Sequence, residues 1–218
     1  KSLSYDYYGL HTNGTVFNDF YSNLDFVRAR TLDNRMPFWV ITQSGIAGSA
    51  RMPIEVEQRW SVWANIAVGS KGISYFCYST PSAAHGEYDD NGFMITIDGE
   101  KNPMYDWVKQ INTDINTIGK KLLYCHADGA ILTATQYYPL YVNNGTGRTK
   151  YGPIQSVSGS QSILCGCFRD ARRSENGENY KGYKALVLSQ MPNRDVDAYL
   201  DLGQSVTQIT VTHNNTTE

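Results

Sequence analysis

Asp6 is the carboxylate whose setting in this chain best suits chemistry. It lies in the alternating stretch SLSYDYY, flanked by Tyr5, Tyr7 and Tyr8. An aromatic surround shifts the pKa of a carboxylate, and Asp6 can serve as a general acid/base or accept a hydrogen bond from a ligand hydroxyl. The plain alternative is a loop aspartate that caps nearby backbone N–H groups. Gln43 ends the apolar run FWVITQ. Its carboxamide offers a donor and an acceptor but no charge, so it cannot act as a carboxylate nucleophile. It either meets a ligand or satisfies strand-end backbone groups. Arg51 offers a cation to a ligand, or an ion pair to Glu55 on the next turn. Tyr7, Trp39 and Tyr78 supply aromatic surface near the same strand ends. Trp39 shares a strand face with Gln43, where it would line a site or fill a core beneath it.

These residues need elements to hold them. Ser2 to Tyr7 reads as a short strand, and Phe17 to Leu32 carries apolar residues at helical spacing. Phe38 to Thr42 is apolar at nearly every position, as a parallel strand covered on both faces should be. Pro53 suits the first turn of the next helix, and Glu55 and Glu57 favour its positive N-terminal end. Val56, Trp60, Trp63, Ala64 and Ala67 then form an apolar stripe. Gly69 and Gly72 close that helix before a strand from Ile73 to Tyr78. Helical crossovers between apolar strands are the signature of a parallel sheet, so the first third reads as β-α-β-α-β.

A long polar loop follows, Thr80 to Asn102, with a short strand expected at Phe93 to Ile97. His85, Glu87, Asp89 and Asp90 in it could line a cleft or offer oxygens to a cation, or simply be solvated. Asn102-Pro103 starts a helix to about Lys121, with Trp107, Ile111, Ile115 and Ile118 on one face. From Asp128 the character changes. AILTATQYY, SILCGCF, YKALVLSQ, AYLDL and TQITVTH are short β-rich segments between turns, the pattern of an antiparallel β-sandwich. The charged stretch from Phe168 to Gly182 reads as a hairpin and asks for no functional role.

The formal net charge of -2 gives no electrostatic reason to expect nucleic acid or an anionic membrane as partner. No transmembrane run is present. The 16 tyrosines and 4 tryptophans suit stacking on sugar C–H faces, although tyrosine is also a common strand residue. Cys77 is expected as a buried free thiol, and Cys165 and Cys167 are expected on opposite faces of one strand. The C-x-C pair without matching ligands is weak support for zinc. The opening KSLSYDYYGL reads as mid-domain sequence, so the chain is expected to be a piece of a longer protein, with any targeting signal outside it.

The stretches LSYDYYG, MPFWVITQSG, RMPIEVEQRWSVWANIAVGSKGISYFCYST and IDGEKNPMYDWVKQINTDI together resemble the last units of a (β/α)8-barrel glycoside hydrolase. They are similar to the seventh and eighth units of β-galactosidase-like enzymes of the retaining clan, over roughly residues 2 to 121. The tail resembles the small β-domain that often follows such barrels. The resemblance implies a partial TIM-type barrel over residues 1–124 and a β-sandwich over 125–218. It implies acid/base glycosidic hydrolysis with no cofactor and no metal, by two carboxylates about 5–5.5 Å apart.

The nucleophile position of that pattern falls on Gln43, where a glutamate is expected, and no Asp or Glu stands between Asp33 and Glu55 to replace it. Three explanations stay open: glycan binding without cleavage, a different carboxylate or substrate assistance, or a shifted register. Asp6 is the best remaining catalytic candidate, with Tyr7, Trp39, Arg51 and Tyr78 as substrate contacts. The expected partner is carbohydrate. A half-barrel also exposes strand edges, so pairing with another copy or with the missing half of the barrel is expected.

Overall fold

The computed structural model describes residues 1–10, 19–46, 51–81, 92–133, 150–170, 182–192, 194–203, 206, 208–213 and 216–217. Three parallel strands form the first sheet: β1 (Leu3–Tyr7), β2 (Phe38–Gln43) and β3 (Gly72–Phe76), in that spatial order. Helix α1 (Phe20–Asp33) crosses from β1 to β2, and α2 (Glu55–Val68) from β2 to β3. The expected β-α-β-α-β order is present. The start expected for α1 at Phe17 lies outside the described residues.

The strands are amphipathic, contrary to the expectation that β2 would be covered on both sides. Leu3, Tyr5 and Tyr7, with Phe38, pack against α1 and α2 in one core cluster that includes Phe20, Leu24, Trp60 and Ala64. The opposite face holds Ser4 and Asp6, both exposed, and Trp39, which is 47% exposed. Alternation along each strand thus puts apolar side chains on the helices and leaves the other face open. The run FWVITQ hides this, because a large exposed indole reads as apolar.

Helix α2 ends and begins by local chemistry. Gly69 takes the left-handed conformation (φ 110°) that closes α2, with its N–H donating to the Ile66 carbonyl and that of Ser70 to the Asn65 carbonyl. At the other end the Glu57 carboxylate accepts from the Ile54 N–H at 3.0 Å, satisfying an orphan donor of the first turn.

Helix α3 (Pro103–Asp114) begins at Asn102, whose side chain accepts from the Met104 N–H. The single helix expected from 102 to 121 is interrupted. A π-helical turn spans Ile115–Gly119 before the short α4 (Lys120–Leu123). Lys71, just before β3, donates to the carbonyls of Leu122 and Cys125 and so ties the end of α4 to the parallel sheet.

The remaining strands are β4 (Cys125–Leu132), β5 (Ile154–Gly159), β6 (Ile163–Asp170), β7 (Tyr183–Ser189), β8 (Ala198–Leu202), β9 (Thr212–His213) and β10 (Thr216–Thr217). Antiparallel β4-β6-β7 form one sheet, β5 pairs with β8, and β9 with β10. β5 has no counterpart among the expected segments, and among the described residues of TQITVTH only the last two are strand.

β6 is buried on both faces. Leu164 and Phe168 turn toward the clusters around α2, and a Cβ on Gly166 would lie 2.2 Å from the Ala67 carbonyl oxygen, so only glycine lets the helix approach so closely. Ile163, Cys165 and Cys167 face β5 and β8 through Ile154, Val157, Leu200 and Leu202. Cys165 and Cys167 therefore share a face, because residues two apart on a strand always do. All four cysteines are free, and Cys77 is only half-buried.

Candidate functional site

Parallel register brings eight side-chain positions to the open face of the first sheet. Ser4 lies beside Trp39 and Asp6 beside Ile41, while Gly72, Ser74 and Phe76 of β3 align with Trp39, Ile41 and Gln43. Asp6 sits diagonally across from Trp39, two residues further along the neighbouring strand. The indole of Trp39 rests over the Gly72 backbone: a Cβ there would fall 2.4 Å from Cδ2 and 2.7 Å from Cε2 and Cε3.

Gln43 is on this face but sealed, with 4% exposure. Its register partner Phe76 stacks on Tyr8, ring centroids 5.7 Å apart. Tyr8 follows β1 by one residue, so the two rings come from either side of the Gln43 position. Phe93 meets Phe76 edge-on at 6.0 Å and is fully buried. A Cβ at Gly45 would stand 2.3 Å from the Phe93 ring, so the turn after β2 is pressed against it.

The Gln43 amide is also committed. Nε2 donates to the Gly45 carbonyl at 2.9 Å and to the Arg51 carbonyl, while Oε1 has no partner among the described residues. The side chain ties the β2 end to the approach to α2. That fits the structural alternative raised by its sequence position.

Arg51 pairs with Glu57, not Glu55. Its Nη1 donates to Glu57 Oε2 at 2.8 Å and Nη2 to Oε1, a two-pronged contact with a carboxylate that is 1% exposed. The hydrogen bonds it donates to Glu57 push the Arg51 pKa up. Glu55 is exposed at the helix start.

Tyr7 points to the helix side, away from Asp6. Its hydroxyl donates to Asp19, and its ring packs on Phe20. Burial first, then Asp19, raises its pKa. Tyr78 is 57% exposed beyond β3 and meets Tyr105 edge-on at 6.3 Å. The structure thus brings Asp6 and Trp39 onto one open face, and places Tyr7, Arg51 and Tyr78 elsewhere. Tyr8, which flanks Asp6 in the sequence, completes the surroundings with Gly72 and Phe76, two residues that sequence spacing does not mark as part of a site. The alternation Ser4-Asp6-Tyr8 and the position of Gly72 at the strand start were the available signals.

Among the described residues, no group of three or more His, Cys, Asp or Glu could hold a metal ion. His85, Glu87, Asp89 and Asp90 lie outside them. No described helix is long and apolar enough to cross a membrane.

No protein-family model matches the chain, and no curated protein matches it. Among solved structures it is similar to a β-galactosidase from the psychrophilic Marinomonas ef1, at 15% identity and a TM-score of 0.45, over 56% of this chain and 21% of that one. The match spans about a fifth of the length of that enzyme.

Proposed function

We propose that this chain is part of a glycoside-hydrolase-like protein and binds carbohydrate on the open face of the β1-β2-β3 sheet. One observation supports the reading: the half-exposed indole of Trp39 stands diagonal to the exposed carboxylate of Asp6 on the part of the face away from the sealed Gln43 end. The C–H face of a sugar ring packs on an indole, and hydroxyls at its edge donate to a carboxylate. Two-residue offsets on adjacent strands separate backbones by roughly 8 Å, a span that one pyranose and its hydroxyls can bridge.

Binding is favoured over hydrolysis. Glycoside hydrolysis by the usual routes needs two carboxyl groups flanking the bond. Among the described positions of this face Asp6 is the only carboxylate, and Gln43 is uncharged and buried. Further barrel strands or a second copy of the chain would pair with the edges at β1 and β3, leaving this face to the ligand, and are part of the same proposal. Light scattering that finds a monomer at every concentration would argue against the second copy.

The test is a titration of the full chain with galacto- and gluco-oligosaccharides, followed by tryptophan fluorescence. Trp39→Ala should weaken binding roughly tenfold, the scale of one aromatic contact, and Asp6→Asn several-fold. Unchanged affinity in both variants would overturn the assignment. Nitrophenyl glycosides provide the parallel arm. Turnover that survives Gln43→Ala and disappears in Asp6→Ala would make Asp6 a catalytic acid/base.

A further inference from the structure

A second concave site lies where the first half of α2, the π turn and β7 meet Met191, Pro192 and Arg194. Its volume is about 340 Å³, and Trp60, Trp63, Ile118, Leu186, Leu188 and Met191 give it a mostly apolar wall. That size is at the small-ligand end of binding cavities. The Trp60 indole N–H is already satisfied by the Ser189 carbonyl at 3.1 Å, so its ring serves the cavity as apolar surface. The site shares no residue with the open sheet face.

Three charged side chains line it: Arg59, Asp114 and Arg194. Arg59 and Asp114 form an ion pair, and Asp114 Oδ1 also accepts from the Gln110 amide at 3.1 Å. Those two charges offset each other. Arg194 is exposed, and its partner among the described residues is the neutral Gln161 Oε1, at the long distance of 3.4 Å. One guanidinium is left in excess at the edge of an indole-walled hollow.

We propose that this cavity binds a small anion with an apolar body, an aryl carboxylate, with its ring against Trp60 and Trp63 and its carboxylate on Arg194. A guanidinium presents paired donors that match both carboxylate oxygens, and the apolar wall gives a hydrated sugar little to hydrogen-bond. The proposal stands independently of carbohydrate binding on the sheet.

The experiment titrates phenylpropionate, and its neutral isostere phenylpropanol, into the full chain carrying Trp39→Ala. Fluorescence of the remaining tryptophans reports binding. Saturable binding of the acid is expected, with the alcohol about tenfold weaker and Arg194→Gln costing the acid about tenfold, as loss of a charged hydrogen bond does. Leu188→Phe should fill the hollow and abolish binding of both. Circular dichroism of each variant confirms the fold. Equal affinity for acid and alcohol, an Arg194→Gln variant that binds as well as the parent, or no saturable binding of the acid to the Trp39→Ala parent would each overturn the proposal.

Discussion

The indole of Trp39 occupies the space that a side chain at position 72 would fill. A Cβ on Gly72 would come within 2.4 Å of Cδ2, far inside contact distance. The absence of a side chain on β3 is therefore what lets Trp39 lie across the sheet and present its outer face, 47% exposed, to solvent. Gly72→Ala should lift or rotate the indole. The expected outcome is a stability loss of about 1–3 kcal/mol by denaturant unfolding, in line with forced overpacking. The tryptophan emission should shift at the same time. If the open face binds carbohydrate, this variant should lose affinity although it removes no contacting atom. Wild-type emission and stability would show that the indole does not depend on the glycine.

Gln43→Glu tests the other end of β2. Nε2 is held by the carbonyls of Gly45 and Arg51 in a site that is 4% exposed. A carboxylate there has no proton to donate, meets two acceptors and is cut off from water. Its neighbour Arg51 is already engaged with Glu57. A loss of about 2–4 kcal/mol is expected from burying a charge and breaking these bonds. No hydrolysis of nitrophenyl glycosides should appear. Turnover gained by this one change would show that position 43 does occupy a nucleophile site, and that the packing of Tyr8 and Phe76 opens in solution.

What the sequence disclosed follows from the range of each interaction. Helix ends and crossovers are set by local chemistry, such as Gly69 at the close of α2 and Asn102 with Pro103 at the start of α3, and these were legible. The partner of Arg51 was not. Glu55 and Glu57 both lie within reach by spacing, and only the fold around Ile54 turns Glu57 inward. Likewise nothing in FWVITQ distinguishes an exposed Trp39 from a buried one. That depends on α1 and α2 packing against the same side of the sheet, with no described element over the other. The π turn at Ile115–Gly119 breaks a periodicity that continues unbroken in the sequence.

The Arg51–Glu57 contact predicts an asymmetric pair of variants. Arg51→Ala strands a carboxylate that is 1% exposed and already accepts from the Ile54 N–H. Removing one partner of a buried pair typically costs about 3–5 kcal/mol, and the lower end applies because the Arg51 side chain is 22% exposed. Glu57→Gln retains an acceptor for Ile54 and leaves a cation that water can reach, so it should cost less. The double variant should lose less than the two single losses together. Chemical denaturation of all three measures the coupling, and strict additivity would mean that the contact is not formed in solution.

Burial of tyrosine hydroxyls sets the alkaline limit of stability. Tyr5, Tyr21 and Tyr75 all have pKa values raised above the ordinary 10.0, with burial the main cause. Their hydroxyls are also placed against fixed partners: Asn65 for Tyr5, the Gln190 carbonyl for Tyr21 and Asn112 for Tyr75. An acid with a raised folded pKa holds its proton in the folded chain after the unfolded chain has lost it. Its contribution is complete below pH 10 and is lost as pH climbs toward the folded values. Tyr7 and Tyr151 are raised as well, again mainly by burial. Arg28 acts in the opposite sense, because burial pushes its pKa down to about 10, and burial also lowers that of Lys71. Between the lowered and the ordinary values the unfolded chain binds the extra proton, so these two cations add stability as pH rises. The raised tyrosines outnumber them and give a net fall in stability above pH 10. Denaturant unfolding at stepped pH, read beside an ultraviolet titration of tyrosinate, should show midpoints dropping in that range. The titration should also show a class of tyrosines that ionises late and together, as the chain unfolds. A single tyrosine titration centred near 10 with unchanged midpoints would mean that these hydroxyls are open to water in the folded state.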